Sequence, residues 1–279
     1  MLLELLRDYV AAKKTAGWPD FVIKNALKEY LQFPVLAFIY SRLEYRDYVF
    51  IGGSALRVVY GLPRLSEDLD FNLPPAVYSA LDLETLGQDL KRYFKDRFSF
   101  SPILRVQGNK RLYLKFPILK ELGLAAEASS ESDFLYVKIE PLREDFSNPE
   151  YELAPVSGFG FNFIVRTYSL KFLMTGKIGA ILERSWAKGK SNEIDIKGRD
   201  YYDLFWYLEK GVQPDYSDLA QRFGIKNYQE LRTALWRQIE AAVTEKKLYY
   251  DLANFFPEQE FISDFCRNYK SIIKKYLHD

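Results

Sequence analysis

The sequence predicts an α+β fold, with a small mixed sheet and flanking helices over residues 1–165 and a helical lobe over residues 166–279. Three observations carry this expectation. Short apolar runs of strand type alternate with helical patterns up to about residue 165, whereas from Ser169 onward the apolar spacing is helical to the end. A hydrophobic content of 48% and an aromatic content of 16% argue for ordered, packed structure.

Leu2, Leu3, Leu5, Leu6, Tyr9 and Val10 are spaced as on one face of a helix over residues 2–15. A second helix spans Asp20 to Arg42, opened by Pro19 and bent near Pro34. A strand over Tyr48 to Ile51 meets a Gly52-Gly53-Ser54 turn, and a short helix from Ala55 to Tyr60 ends at Gly61 and Pro63. The next strand carries Asp68-Leu69-Asp70-Phe71 and stops at Pro74-Pro75, before a helix from Leu83 to Arg97. Phe98 to Leu104 and Lys110 to Phe116 form a hairpin around Gly108-Asn109. Residues 119–132 give no clear signal, and Phe134 to Leu142 alternate as a strand. Residues 143–160, with Pro149, Pro155, Gly158 and Gly160, read as irregular, and Phe161 to Val165 as one more strand. In the helical lobe one helix runs from Ser169 to Lys188 and another opens at Arg199, joined by the polar stretch KGKSNEIDIKG.

Composition removes several kinds of chemistry. The formal charge is +1, so no global basic field marks a nucleic-acid partner, and such a contact would be local. The single cysteine, Cys266, excludes an internal disulfide and multi-cysteine zinc sites. The single histidine, His278, lies at the C-terminus, which leaves carboxylates and lysines to do any chemistry. Charges at Glu4, Arg7 and Asp8 interrupt the first apolar run, and no stretch reaches the ~20 apolar residues of a membrane span. A soluble, cytoplasmic protein is the expectation.

The stretch FIGGSALRVVYGLPRLSEDLDF, residues 50–71, concentrates what remains. Aspartates at i and i+2 on a strand share a face, and two adjacent carboxylates repel unless a cation sits between them. Asp68 and Asp70 therefore ask for a hard divalent ion such as Mg2+. Gly52 and Gly53 admit close approach of a ligand to the backbone, Ser54 adds a hydroxyl, and the helix that follows offers its positive end to an anion. An anion-binding corner beside a metal-binding strand equips a protein for phosphoryl or nucleotidyl transfer. Each half alone is ordinary, a turn or a solvated strand face; their order and spacing support the joint reading.

These residues resemble the nucleotidyltransferase signature of the DNA polymerase β superfamily and, more narrowly, the AbiEii/MenT family of bacterial toxin nucleotidyltransferases. The match holds at Gly52, Gly53, Ser54, Ala55, Leu56, Tyr60, Gly61, Arg64, Ser66, Asp68, Leu69, Asp70 and Phe71. It continues at Lys177, Ala180, Arg184, Arg199, Asp200, Asp203 and Leu204, with a lengthened gap between Arg184 and Arg199. The resemblance implies a sheet of polymerase β nucleotidyltransferase type, with Lys177 and Asp200 completing the active site from the second lobe. It also implies a toxin of a type IV-like toxin-antitoxin or phage-defence system that transfers a nucleoside monophosphate from an NTP. A tRNA 3′ end would be the acceptor and a cognate antitoxin protein the partner. A protein or small-molecule acceptor, or a catalytically inactive nucleotide-binding module, are the competing readings.

The remaining residues keep two readings each. Glu140 is the candidate third metal ligand, supplied by a neighbouring strand, or an exposed strand carboxylate paired with Lys138. Arg57 and Arg64 flank the turn and could bind triphosphate oxygens, with pairing to Glu67 or Asp68 the alternative for Arg64. Ser66 could orient an aspartate or cap the turn. Lys177 would offset charge on a leaving pyrophosphate and Asp200 would orient it, or the two are a solvated lysine and a helix-start acid. Asp203 is read as a partner of Arg199 or Arg184. Lys246-Lys247 and Lys274-Lys275 are small basic patches that could touch nucleic acid, with a solvated surface the favoured reading.

Overall fold

In the computed structural model, which describes residues 2–125, 133–183 and 195–278, the chain divides into two units. The first comprises Met1–Asp145 and Tyr151–Thr167, the second Phe146–Glu150 and Tyr168–Asp279. The fold class is α+β, with one seven-stranded mixed sheet and its helices in the first unit and helices in the second.

The first unit opens with α1 (Leu2–Thr15) and α2 (Asp20–Tyr40), and α2 buries most of its length, from Val22 to Ile39. Strand β1 (Val49–Ile51) runs directly into α3 (Gly52–Tyr60), which Gly61 ends in the left-handed region at φ 75°. Next come β2 (Asp68–Leu73), the short α4 (Pro75–Ser79) and α5 (Leu83–Phe98), whose N-terminus Asp82 caps by accepting from the Glu84 and Thr85 amides. A hairpin of β3 (Ile103–Gln107) and β4 (Arg111–Pro117) precedes β5 (Phe134–Arg143), β6 (Tyr151–Gly158) and β7 (Phe161–Tyr168).

The strands lie in the order β3-β4-β5-β2-β1-β7-β6. Pairing is antiparallel for β3 with β4, β4 with β5 and β1 with β2, and parallel for β2 with β5 and β1 with β7. Every second residue of the central strands is buried, including Leu69, Phe71, Leu112, Leu114, Val137 and Ile139, and α2 and α5 pack against that face with Leu36, Leu90 and Phe94. The alternating residues are left on the other face, where Asp68 and Asp70 lie.

Two departures from the sequence expectation have local causes. The helix expected to stop at Arg97 takes in Phe98 and is closed by Ser99 at φ 54°, so the first hairpin strand begins at Ile103 instead of Phe98. Residues 151–158 form β6 despite Pro155 and Gly158, because β6 is the outermost strand, where a missing N–H costs no ladder bond. Phe159 (φ 51°) and Gly160 (φ 78°) then turn the chain into β7 in the manner of a type I′ hairpin, and the Phe159 ring packs on Tyr9, Tyr30 and Phe33.

The second unit consists of α6 (Leu170–Glu183), α7 (Gly198–Glu209), α8 (Tyr216–Phe223), α9 (Tyr228–Ala242), α10 (Glu245–Leu252) and α11 (Gln259–His278). Asp215, Asn227 and Thr244 cap α8, α9 and α10 through their side chains. A Cβ added at Gly198 would stand 2.7 Å from the Leu248 carbonyl oxygen, so α7 and α10 approach as closely as glycine permits. Among the described residues, no helix is long and apolar enough to cross a membrane.

Two predictions follow from this packing. Gly198→Ala should lower stability by about 1–3 kcal/mol, because the obstacle is backbone; an unchanged denaturant midpoint would show that α10 moves away freely. Asp215 is pushed up by burial, but the Lys171 ammonium at 2.6 Å, the Ser217 hydroxyl and the Asp218 amide outweigh this and hold its pKa down at about 2, against an ordinary 3.8. A depressed carboxylate pKa adds stability that is complete above pH 3.8 and lost as pH falls through about 2. Asp215→Asn should therefore cost on the order of 2 kcal/mol near neutral pH and almost nothing near pH 2, measured by thermal melts across that range.

Candidate active site

Asp68 and Asp70 project from the face of β2 opposite the fully buried Leu69 and Phe71. Parallel pairing with β5 sets Lys138 beside Asp68 and Glu140 beside Asp70. The Lys138 ammonium donates to Asp68 Oδ2 at 2.8 Å and to Glu140 Oε2 at 2.9 Å. Arg111, on β4, holds the other oxygen of Glu140 through Nε at 3.0 Å and Nη2 at 2.9 Å. Burial works against the charge on Lys138, but Asp68 and Glu140 overcome it and raise its pKa above the usual lysine range. Burial likewise pushes Glu140 up, and the bonds from Arg111 and Lys138 outweigh it, leaving the carboxyl more acidic than usual.

Glu140 is the residue expected to complete a metal site. The residue lies on the expected strand and beside Asp70, but both its oxygens are held by cations. Among the described residues, no three carboxylate, histidine or cysteine groups converge closely enough to hold a metal ion. The pair Asp68 and Asp70 still fits a hard divalent cation. Its donors are carboxylate oxygens on one face, and Asp68 already attracts the ammonium of Lys138.

The glycine corner has a different construction from a free loop. Gly52 and Gly53 form the first turn of α3, with Gly52 at φ 76°. A Cβ on Gly52 would come within 2.6 Å of Asp70 Oδ2, and one on Gly53 would meet the Arg64 guanidinium. Glycine is thus required here to let the Asp70 carboxylate lie against the start of the helix. Ser54 is 1% exposed, and its hydroxyl bonds the Asp68 carbonyl and the Ser66 hydroxyl, the latter at 2.8 Å. It fastens the corner to the first residue of β2. Ser66 is buried beside it, and its carbonyl accepts from Gln32 of α2 at 3.4 Å.

Both arginines bind protein groups. Arg57 donates from Nε to Glu29 at 3.1–3.2 Å and from Nη1 to the Leu62 and Pro63 carbonyls, each at 3.0 Å, tying α3 to α2 and to the loop before β2. Arg64 is 2% exposed and donates to the Leu65 carbonyl at 2.9 Å while packing under Gly53. Glu67 accepts from Lys28 at 2.9 Å. The sequence reading gave no role to Arg111 and treated Lys138 only as a partner for Glu140. The spacing of Lys138 and Glu140 on one strand face was visible, but the approach of Arg111 depends on strand pairing.

In the second unit, Lys177 of α6 donates to Asp200 Oδ1 at 2.7 Å and Asp203 Oδ2 at 2.8 Å, both on the first turns of α7. Asp203 is fully buried and Lys177 nearly so, which makes the expected solvated lysine untenable. Arg199 turns to Asp251, with its backbone amide at 3.0 Å and Nε at 3.2 Å from Oδ2, and its guanidinium lies over the Phe255 ring. Asp203 thus pairs with Lys177, and Arg199 with Asp251; Arg184 lies outside the described residues.

Comparison with known proteins follows the same residues. No curated protein matches the chain. Two crystal structures from Helicobacter pylori resemble it, one of a candidate nucleotidyltransferase and one of JHP933. The first is 19% identical with a TM-score of 0.43, covering 90% of this chain and 95% of its own. The second is 16% identical with a TM-score of 0.43, covering 91% and 96%. The family model for the nucleotidyl transferase AbiEii toxin of type IV toxin-antitoxin systems matches residues 38–279, which include the acid strand, the glycine corner and the Lys177–Asp200–Asp203 cluster. The chain belongs to this AbiEii nucleotidyltransferase toxin family.

Proposed function

We propose that the protein transfers a nucleoside monophosphate from an NTP to a polynucleotide 3′ end, with a tRNA as the acceptor, and acts as a cytoplasmic toxin restrained by a cognate antitoxin. The observation that carries this reading is the contact between the Asp70 carboxylate and the glycine start of α3, which sets an acid pair and a helix N-terminus side by side. A triphosphate needs such a positive helix end, and the acid pair supplies hard oxygen ligands next to it.

Asp68 and Asp70 would hold Mg2+, which supplies charge compensation for the polyphosphate when bound. Ser54 and Ser66 hold the glycine corner against β2, and Arg64 supports it from beneath; in this reading Ser54 and both arginines act through position and not as exposed phosphate ligands. Glu140, Lys138 and Arg111 form a charge frame that fixes Asp68. In the second unit, Asp200 and Asp203 hold the Lys177 ammonium in one direction, the geometry of a phosphate-binding cation. The acceptor hydroxyl forms a bond to the α-phosphorus as the bond to the β-phosphate oxygen breaks. Pyrophosphate leaves, and the hydroxyl proton passes to a carboxylate of the β2–β5 face.

The test is incubation of the purified protein with total RNA, magnesium and each of four α-labelled NTPs, with protein and small-molecule acceptors in parallel. Label should enter RNA, and Asp70→Asn should reduce it at least ~100-fold while the melting temperature is retained. Label in protein or in a small molecule would replace the acceptor, and transfer that survives Asp70→Asn would sink the site. Glu140→Gln separates the frame from the metal pair: it should cost about tenfold, well short of Asp70→Asn, whereas an equal loss would restore Glu140 as a ligand.

A further inference from the structure

We infer that the open face of β3, β4 and β5 is a platform for the single-stranded end of the nucleic-acid acceptor, leading it across the sheet to Asp68 and Asp70. The inference rests on the nucleotidyl-transfer reading for its endpoint, and on the sheet itself for the surface.

Register places four residues in one cross-strand row, Asp68, Lys138, Tyr113 and Arg105, running from β2 to the β3 edge. With strands about 4.8 Å apart, that row extends about 14 Å from the acid pair. Beside it lies a second row of Tyr136 and Lys115, with Phe134 adjoining. The rings of Tyr113 and Tyr136 meet edge to face at 6.5 Å, and Phe134 and Tyr136 are 6.1 Å apart. Lys115 Nζ stands 5.6 Å from the centres of both Phe134 and Tyr136. Arg105 is exposed, and the three rings are half-buried.

The sorting of charge along this face identifies its occupant. The carboxylates are confined to the β2 and β5 end, where Lys138 and Arg111 answer them. Beyond that end come aromatic rings and cations, with Ile103 beside Lys115 and Gln107 beside Arg111 on β3; among the described residues neither Arg105 nor Lys115 has a carboxylate partner. In a chain whose formal charge is +1, such a local run of rings and cations is not a by-product of a basic composition. Buried leucines and valines alternate with these side chains, so the fold itself needs apolar residues only on the opposite face. Rings standing on a sheet stack on unpaired bases, and cations beside them meet the phosphates between those bases. A folded protein partner or a lipid surface would leave unexplained why the rings and cations interleave and why the row ends at the acid pair.

The experiment measures binding of a fluorescein-labelled single-stranded RNA of about 10 nucleotides with a free 3′-hydroxyl, by anisotropy, using the full chain. Arg105→Glu with Lys115→Glu should weaken binding at least about tenfold and lessen its salt dependence. Tyr136→Ala should weaken it by a similar factor, while Tyr136→Phe, which keeps a stacking face, should bind as the unmodified protein does. NTP binding, followed by calorimetry, and the melting temperature should not change in the charge-reversed variant. The same reversals at Lys274 and Lys275 of α11 serve as the control and should have little effect. The platform is refuted if the unmodified protein binds no RNA, if both charge reversals on the sheet leave affinity intact, or if only the α11 reversals reduce it. RNA binding that tracks the sheet face in a protein that binds no NTP would uphold the platform and overturn the transfer reading.

Discussion

The parallel alignment of β2 with β5 is the constraint on which the first unit's chemistry depends. It puts Asp68 beside Lys138 and Asp70 beside Glu140, so that two acids from one strand and an acid and a base from another share a face. A slip of either strand by one residue would turn its two charged side chains toward the core and bring its apolar pair, Leu69 and Phe71 or Val137 and Ile139, out into water. Burial of those apolar side chains therefore fixes the charged face as firmly as it fixes the core. A second pairing, the antiparallel addition of β4 to β5, brings Arg111 to Glu140.

The glycine corner shows one sequence feature meeting two demands. Glycine at 52 and 53 is usual where a ligand approaches the backbone, but here the protein's own groups already require it. Asp70 occupies the space of one missing Cβ and Arg64 that of the other. Ser54 closes the arrangement by bonding to the Asp68 carbonyl, so the helix start and the acid strand are one mechanical piece. Arg57 belongs to the same piece, since Glu29 and two loop carbonyls engage its guanidinium. Preorganisation of this kind keeps carboxylates at a defined place next to a helix dipole without relying on a mobile loop.

In the second unit the Lys177 ammonium lies between two acids that water barely reaches. Burying charged groups is costly unless each is paired with good geometry, and replacing such a cluster by apolar residues is often neutral or stabilising. The ammonium so enclosed has a fixed direction, unlike that of a solvated surface lysine. The neighbouring pair of Arg199 and Asp251 ties α7 to the end of α10, close to the contact that Gly198 permits.

Local pattern was sufficient for α1, α2, α5 and β5, whose apolar spacing is unambiguous, and for the face on which Asp68 and Asp70 stand. It was insufficient for β6, where Pro155 and Gly158 looked like breakers until the strand's place at the sheet edge made them harmless. The sequence by itself determined the alternation along each strand, the glycine-to-acid spacing and the kinship these imply, because side-chain period and turn chemistry act over a few residues. Only the tertiary structure decided which strand neighbours which. Lys138 and Arg111 reach Asp68 and Glu140 across distances in the chain that no local preference spans, and the same pairings set Glu140 between two cations. The physical reason is that strand pairing is settled by burial of the whole opposite face, a sum over many distant residues.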